Sequence, residues 1–510
     1  MRVYRGAGTI KIEIPEILHD ESRFECGVPA AVFFPENETD LRNALADAVR
    51  DRAKVTFIGG QTGTTGGAVP EHGVYAVLFS AMNRIRAVVS DHVRPVLVCE
   101  PGVTLAAIER FLEAPAAWEY PVPGSERLSP GSFFYPPDPT EKTAQLGGTV
   151  ATNASGARSY RFGPTREHIS FVSMVLAGGE TVTLRQARAE VWDRRIITDQ
   201  GSVIIIPSLP YISSTFKNAA GYFNRPSMSG MDLFIGSEGT LAAFSSIGVI
   251  LQPKPEFLMG LSFFTGFERA FDFADFLRDK PDVSAIEFFD NGSLRFFEKW
   301  RERMPYRFPD FPAGAEAAVL WEVIDEHGGW VDENIGQWEQ ALVACGSSIE
   351  NTWSGFDDAE KERLQQFRHA LPETVNSIIS EKRHLFRNIR KIGTDSAYPA
   401  ATFREAFRES ISRIENSGCE CVVFGHLGDY HLHINLLPSD HDELATALKL
   451  YDDLMQLAVS RGGTISAEHG IGKIKNKYLK LMYGEIGVDA MKSVKKTLDP
   501  DEILNPGNLL

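Results

Sequence analysis

The chain has 510 residues, 43% of them hydrophobic and 24% charged, and its 52 basic and 68 acidic side chains give a formal net charge of −16. That length exceeds what one hydrophobic core usually supports, and the acidic balance argues against a nucleic-acid or anionic-membrane partner, which would need a basic face. The five cysteines contain no C-x-x-C pair, the N-terminus lacks the apolar stretch of a secretory signal, and no apolar run nears the ~20 residues of a membrane span; a cytoplasmic, reducing setting is expected.

In chain order, residues 54–58 read as a short strand running into glycines, and 91–100 as a second strand ending at Pro101-Gly102. Residues 104–113 have the spacing of a helix, with Leu105, Ile108 and Leu112 on one face and Thr104 as N-cap. Strands are predicted at 171–176 and 241–251, and the pair Pro253 and Pro255 marks a domain boundary. Beyond it, strands at 261–264 and 317–323 alternate with helices at 267–279 and 332–344, the pattern of an α/β layer with helices on one face of a sheet. Residues 306–312 read as a proline-rich surface loop, Arg383, Arg387 and Arg390 as one helix face, and 471–498 as a helical tail that stops at Asp499-Pro500.

Three patches of small residues follow one another in the first half. Gly59-Gly60-Gln61-Thr62-Gly63-Thr64-Thr65-Gly66-Gly67 holds five glycines and three threonines directly after a predicted strand. Such a loop lets the backbone approach a ligand and turns successive N–H groups toward an anion such as a diphosphate. It has neither the Gly-Lys-Ser/Thr of a nucleoside-triphosphatase nor a G-x-G-x-x-G fingerprint. The second patch runs from Tyr135 through Pro137, Asp138 and Thr140, then Gly147 to Gly156; the third is Gly236-Ser237-Glu238-Gly239-Thr240. Together they imply a long, bent ligand touched at several points.

The second half concentrates four of the chain's 12 histidines in His426, His431, His433 and His469, the last following Glu468. If 431–436 is a strand, residues 431, 433 and 435 share one face and Leu432, Ile434 and Leu436 the other. His426 precedes a Gly-Asp turn, so a hairpin returns it toward the polar face. Taken alone, these residues fit a metal site or a hydrogen-bonded polar core.

From about Pro35 to Asn508 the chain resembles the FAD-linked D-2-hydroxyacid dehydrogenases, a branch of the vanillyl-alcohol oxidase/p-cresol methylhydroxylase superfamily that includes D-lactate and D-2-hydroxyglutarate dehydrogenases and the glycolate oxidase flavoprotein subunit. The glycine patches, 425–435, Glu468-His469-Gly470 and Leu504-Asn505-Pro506-Gly507 carry the resemblance. It implies an α+β fold: an N-terminal extension (1–34), a two-subdomain FAD-binding domain (35–253), and an α/β, ferredoxin-like substrate domain with an antiparallel sheet (254–460). A C-terminal segment (461–510) would return to complete the FAD domain and the active site.

The same resemblance assigns roles. Gly59, Gly60, Gln61, Thr62, Gly63, Thr64, Gly66 and Gly67 would hold the FAD diphosphate. Pro137, Asp138, Gly148, Asn153, Gly156, Gly163 and Thr165 would line the flavin, with Glu238, Gly239 and Asn505 on its other side. Covalently flavinylated members attach FAD through a loop histidine; Gln61 and its neighbours offer none, so FAD is expected to bind non-covalently. His426, His433 and Glu468 would ligate a divalent metal, zinc or manganese. Arg368 would grip the substrate carboxylate, His469 would be the base and Asn435 a polar contact. The expected reaction is oxidation of a D-2-hydroxy acid to the 2-oxo acid, with hydride passing to flavin N5 and electrons to an external acceptor: an iron–sulfur subunit, an electron-transfer flavoprotein, a quinone or cytochrome, or oxygen. Such a partner would also account for a peripheral place at a membrane, and a homodimer is left open.

Two positions depart from the family pattern. Tyr430-His431 stands where the family usually has Gly-Asn, leaving His431 as a hydrogen-bonding partner of a ligand, a fourth ligand, a group that reshapes the substrate pocket, or an alternative base. Gly393 stands where some members carry a substrate-binding lysine, a contact that Lys391 supplies or that is missing. An alkylglycerone-phosphate synthase-like transferase and a non-catalytic flavoprotein subunit are the competing readings.

Overall fold

In the computed structural model, which describes residues 1–91, 94–114, 131–186, 192–304, 308–386 and 388–510, the chain divides into two units. The first comprises Met1–Ser155, Gly163–Lys254 and Ser466–Leu510; the second comprises Gly156–Phe162 and Pro255–Ile465. Positions 92–93 of the expected second strand, Tyr306 and Arg307 of the proline-rich loop, and Arg387 lie outside the described residues.

Among the described residues of the first unit, one sheet is ordered Arg2–Arg5, Ala31–Phe34, Tyr75–Leu78, Val55–Ile58, antiparallel at the first pairing and parallel at the other two. Residues 1–34 are therefore not appended to the unit: they supply two strands, and Ala31–Phe34 is buried throughout. Phe33, Leu41, Leu45, Val55, Val77 and Leu504 form its core. The chain end closes on this sheet, with Val55 N–H donating to Ile503 O and Asn505 N–H to Val55 O, each at 2.7 Å. The buried Lys495 ammonium locks the closure, donating to Thr240 O at 3.0 Å and to Asp499 Oδ2 and Leu504 O at 2.9 Å.

A second sheet is antiparallel in the order Ile85–Asp91, Arg94–Cys99, Ala243–Ile250, Ile169–Val175, Thr181–Arg185. The helix Leu105–Glu113 begins where the sequence predicts, its Thr104 side chain accepting from Ala107 N–H at 3.1 Å. The tail differs from expectation. Its helix starts only at Asn476 and breaks at Gly484 (φ 67°), because Gly470 and Gly472 take positive φ and turn residues 470–475 into a loop.

The second unit is built on an antiparallel sheet ordered Thr352–Gly355, Glu256–Phe264, Ala317–Asp325, Val283–Phe289, Cys421–His426, His431–Leu436, Ile392–Gly393, with Ser396–Ala397 also pairing to His431–Leu436. Helices cross it, among them Phe267–Arg278, Trp330–Ala344 and Asp358–Leu385. Phenylalanines fill its core: Phe271 packs on Phe288, Phe403 and Phe407, and Phe367 on Phe289 and Phe297.

The proline-rich segment is anchored rather than free. Phe308 is buried against Phe297 and Phe367, and Phe311 stacks on it, because two aromatic rings in the loop outweigh its polar neighbours. The arginines at 383 and 390 do not share a helix face, since the helix ends at Leu385 with Phe386 extended (φ −132°). No helix among the described residues is long and apolar enough to cross a membrane.

Candidate active site

In the first unit the strand Val55–Ile58 delivers the chain into the glycine loop. Gly66 has φ 74°, and a Cβ there would sit 3.0 Å from the Phe24 ring. A Cβ on Gly60 would meet Thr143 O at 2.8 Å, and one on Gly59 would lie 3.9 Å from Gly148 Cα in the short helix Leu146–Thr152. Loop and helix thus meet backbone to backbone, while Gly63 and Thr64 form an exposed tip. That cradle of main-chain groups suits the diphosphate of a dinucleotide cofactor. Pro137 and Asp138 are buried beside this region of the sequence, and Asn153 caps the helix in the left-handed conformation (φ 50°), its Oδ1 accepting from Arg166 N–H at 2.9 Å. Thr165 donates to Ala154 O at 2.7 Å, and Gly163 takes φ 80°.

Three of the residues expected to touch the cofactor have their side chains engaged by the protein backbone. Gln61 Nε2 donates to Glu16 O at 2.7 Å and His19 O at 2.6 Å. The Glu238 carboxylate accepts from Ile471 N–H at 2.6 Å and Gly472 N–H at 2.7 Å, and burial pushes its pKa above the usual value. Asn505 accepts from Phe57 N–H at 2.7 Å and donates to Glu238 O at 2.6 Å; a Cβ on Gly239, at φ 68°, would collide with that amide. These side chains shape the loops. Gly156 falls in the second unit.

The glycine loop is stitched to the segment that carries Glu468 and His469. Thr65 O accepts from Lys473 N–H at 3.0 Å and Ile474 N–H at 3.2 Å, and Thr65 Oγ1 donates to His469 O at 3.4 Å. The Glu468 side chain is 9% exposed, and its Oε2 accepts from Lys217 Nζ at 2.8 Å and Ser155 Oγ at 3.0 Å. His469 is 33% exposed, with Nε2 3.7 Å from Glu468 Oε1. Lys217 carries no sequence signal. It lies in a glycine-poor stretch that is brought here by Ala219 N–H donating to Ser466 O at 2.9 Å.

In the second unit, the turn Leu427–Asp429 folds Cys421–His426 onto His431–Leu436. The predicted alternation holds on the apolar side, where Leu432, Ile434 and Leu436 are buried. One ligating nitrogen from each of His426, His431 and His433 lies within 4.8 Å of the others, a spacing that a single divalent cation spans. Glu287 lies opposite His426 in the sheet register, and its Oε1 is 2.6 Å from His426 Nδ1. Its Oε2 accepts from Arg368 Nε at 3.3 Å. His431 is fully buried, with Nε2 3.0 Å from the equally buried Asp395 carboxylate. Asn435 is buried and donates to His433 O at 3.3 Å.

Tyr430 occupies φ 53°, a conformation that favours glycine, and the Arg278 guanidinium lies 4.0 Å from its ring centroid. A Cβ on Gly393 would lie 3.0 Å from Asn435 Oδ1, so a side chain there would crowd Asn435. Lys391 donates to Asn376 Oδ1 at 3.1 Å. Sequence reasoning missed Glu287 and Lys217.

Residues 29–129 and 125–185 match the FAD binding domain family, and residues 255–509, half of the chain, match the C-terminal domain of the FAD linked oxidases. The two domains define a flavin-dependent oxidoreductase, and the chain belongs to the FAD-linked oxidase family. It is 28% identical to D-2-hydroxyglutarate dehydrogenase of Stutzerimonas stutzeri (94% of this chain, 91% of the relative). It is 26% identical to glycolate oxidase subunit GlcD of Bacillus subtilis (94% and 89%) and 27% identical to D-lactate dehydrogenase of Archaeoglobus fulgidus (93% and 90%). Among solved structures it is similar to alkyldihydroxyacetonephosphate synthase, with a TM-score of 0.59 over 95% of this chain and 77% of that one. At 14% identity that likeness is of fold alone.

Proposed function

We propose that the chain is an FAD-linked D-2-hydroxyacid dehydrogenase acting on an acid of the lactate, 2-hydroxyglutarate or glycolate class. The observation that carries this reading is the stitching, within one unit, of the glycine loop to the segment bearing Glu468 and His469 through Thr65. The similarity to three named 2-hydroxyacid enzymes over more than nine-tenths of the chain supports the substrate class.

The first unit would hold FAD, non-covalently, through the main chain of 59–67 and the wall formed by Pro137, Asp138, Gly148, Asn153, Gly163 and Thr165. His426 and His433 of the second unit and Glu468 of the first are the proposed ligands of a divalent cation, zinc or manganese. Bound FAD would supply a hydride acceptor, and the cation a Lewis acid for the substrate hydroxyl. The residues of the chain do the rest. Arg368 orients the substrate through its carboxylate, for which a guanidinium fork is suited. His469 takes the hydroxyl proton; its partial exposure and its Glu468 neighbour favour it over His431, which is fully enclosed. Lys217 and Ser155 hold one oxygen of Glu468 and thereby direct the other. Electrons leave to an acceptor outside the chain.

Steady-state oxidation of D-lactate, D-2-hydroxyglutarate and glycolate, with a dye as electron acceptor and the 2-oxo acid measured as product, tests the proposal. One of the three should turn over in metal-replete, FAD-replete protein. No 2-oxo acid from any of them would leave the transferase or non-catalytic reading standing instead.

A further inference from the structure

The strand Val283–Phe289 reads VSAIEFF and is buried at every position, yet its fifth residue is a carboxylate. Glu287 is 4% exposed. Removing a carboxylate from water costs several kcal/mol unless partners restore its hydrogen bonds. Both of its oxygens are used, and two of its partners are residues to which a role is proposed on other grounds. Oε1 meets His426 Nδ1 at 2.6 Å, and Oε2 accepts from Arg368 Nε at 3.3 Å. The sheet register puts Glu287 and His426 directly opposite each other, and Arg368 reaches the same carboxylate from the helix Asp358–Leu385.

We propose that Glu287 is a positioning residue that fixes His426 and Arg368 together. An acceptor at Nδ1 requires the proton on that nitrogen, so His426 is held in the tautomer whose Nε2 lone pair faces away, ready for a cation. The bond to Arg368 through Nε restrains the plane of the guanidinium. One buried carboxylate thus keeps the cation-binding imidazole and the carboxylate-binding guanidinium in a fixed relation. Both contacts lie within the second unit. The inference rests on the proposed roles of His426 and Arg368.

Glu287→Gln has nearly the same shape but a single acceptor oxygen. Its NH2 cannot accept from either partner, so it must release Arg368 or force His426 to carry its proton on Nε2, the tautomer that cannot ligate. The test uses the FAD-loaded full chain, stripped of metal and titrated with Zn2+ against a chromophoric chelator, with KM, kcat, flavin content and melting temperature measured in parallel. Glu287→Gln should weaken Zn2+ binding by about 10–100-fold, the usual effect of losing a carboxylate behind a ligating histidine. KM should rise, while flavin content and melting temperature stay at wild-type values. In a His426→Asn background the same change should have no further effect on Zn2+. Unaltered Zn2+ affinity together with an unaltered KM in Glu287→Gln, or a loss of flavin and fold in step with the metal, would reduce Glu287 to a structural ion pair. Absence of stoichiometric Zn2+ from the wild type is a separate result: it would overturn the metal reading itself.

Discussion

His469 and His431 have similar prominence in the sequence and opposite surroundings in the structure. The first is one-third exposed beside a carboxylate whose other oxygen is tied to Lys217 and Ser155; the second is enclosed beside Asp395. A base must reach the proton it removes, so His469→Asn is expected to lower kcat by roughly 10²–10⁴-fold with FAD retained, the usual range for a lost general base. His431→Asn, which restores the residue of the family pattern, should change kcat by far less. Comparable losses in both variants, measured under saturating substrate, would contradict the assignment. The carboxylate that meets both His426 and Arg368, Glu287, is invisible from the sequence around them. Glu287 lies 139 positions from His426 and 81 from Arg368, and its own strand reads as core.

Individual elements were legible where the signal is local. The helix at 105–113 declares itself by apolar spacing and a threonine cap, and the His431–Leu436 strand by its alternation. The glycine loop marks where the backbone must bend, but glycines do not name what faces them. Gln61, Glu238 and Asn505, which the family resemblance places at the cofactor, have side chains bonded to the main chain of Glu16, His19, Ile471, Gly472, Phe57 and Glu238. The tail helix was extended too far because the helical pattern continues through residues whose backbone is turned by Gly470 and Gly472. The closure of the chain end depends on Lys495, whose ammonium meets three oxygens while Asp499 caps Ile503 and Leu504. Lys495→Met leaves the fully buried Asp499 without its cation, and a loss of about 3–5 kcal/mol is expected in chemical denaturation. A loss under 1 kcal/mol, a value below the range for broken buried pairs, would show the closure to be held by its backbone bonds instead.

At the scale of the whole molecule, the proposed chemistry divides by unit. The first holds the flavin loop, Glu468, Lys217 and His469; the second holds His426, His433, Arg368 and Glu287. Family membership follows from domain matches across the chain, and the proposed substrate class is supported by relatives at 26–28% identity. The central claim is that this chain passes a hydride from a D-2-hydroxy acid to its own flavin. Anaerobic mixing of the FAD-loaded, metal-replete protein with D-lactate, D-2-hydroxyglutarate or glycolate, followed at the oxidised flavin absorbance band, tests it most directly. The account predicts that one of these acids bleaches the flavin in a single turnover, that the L-enantiomer of a chiral substrate does not, and that chelator treatment slows the bleaching. A flavin that stays oxidised with all three acids in metal-replete protein would contradict it.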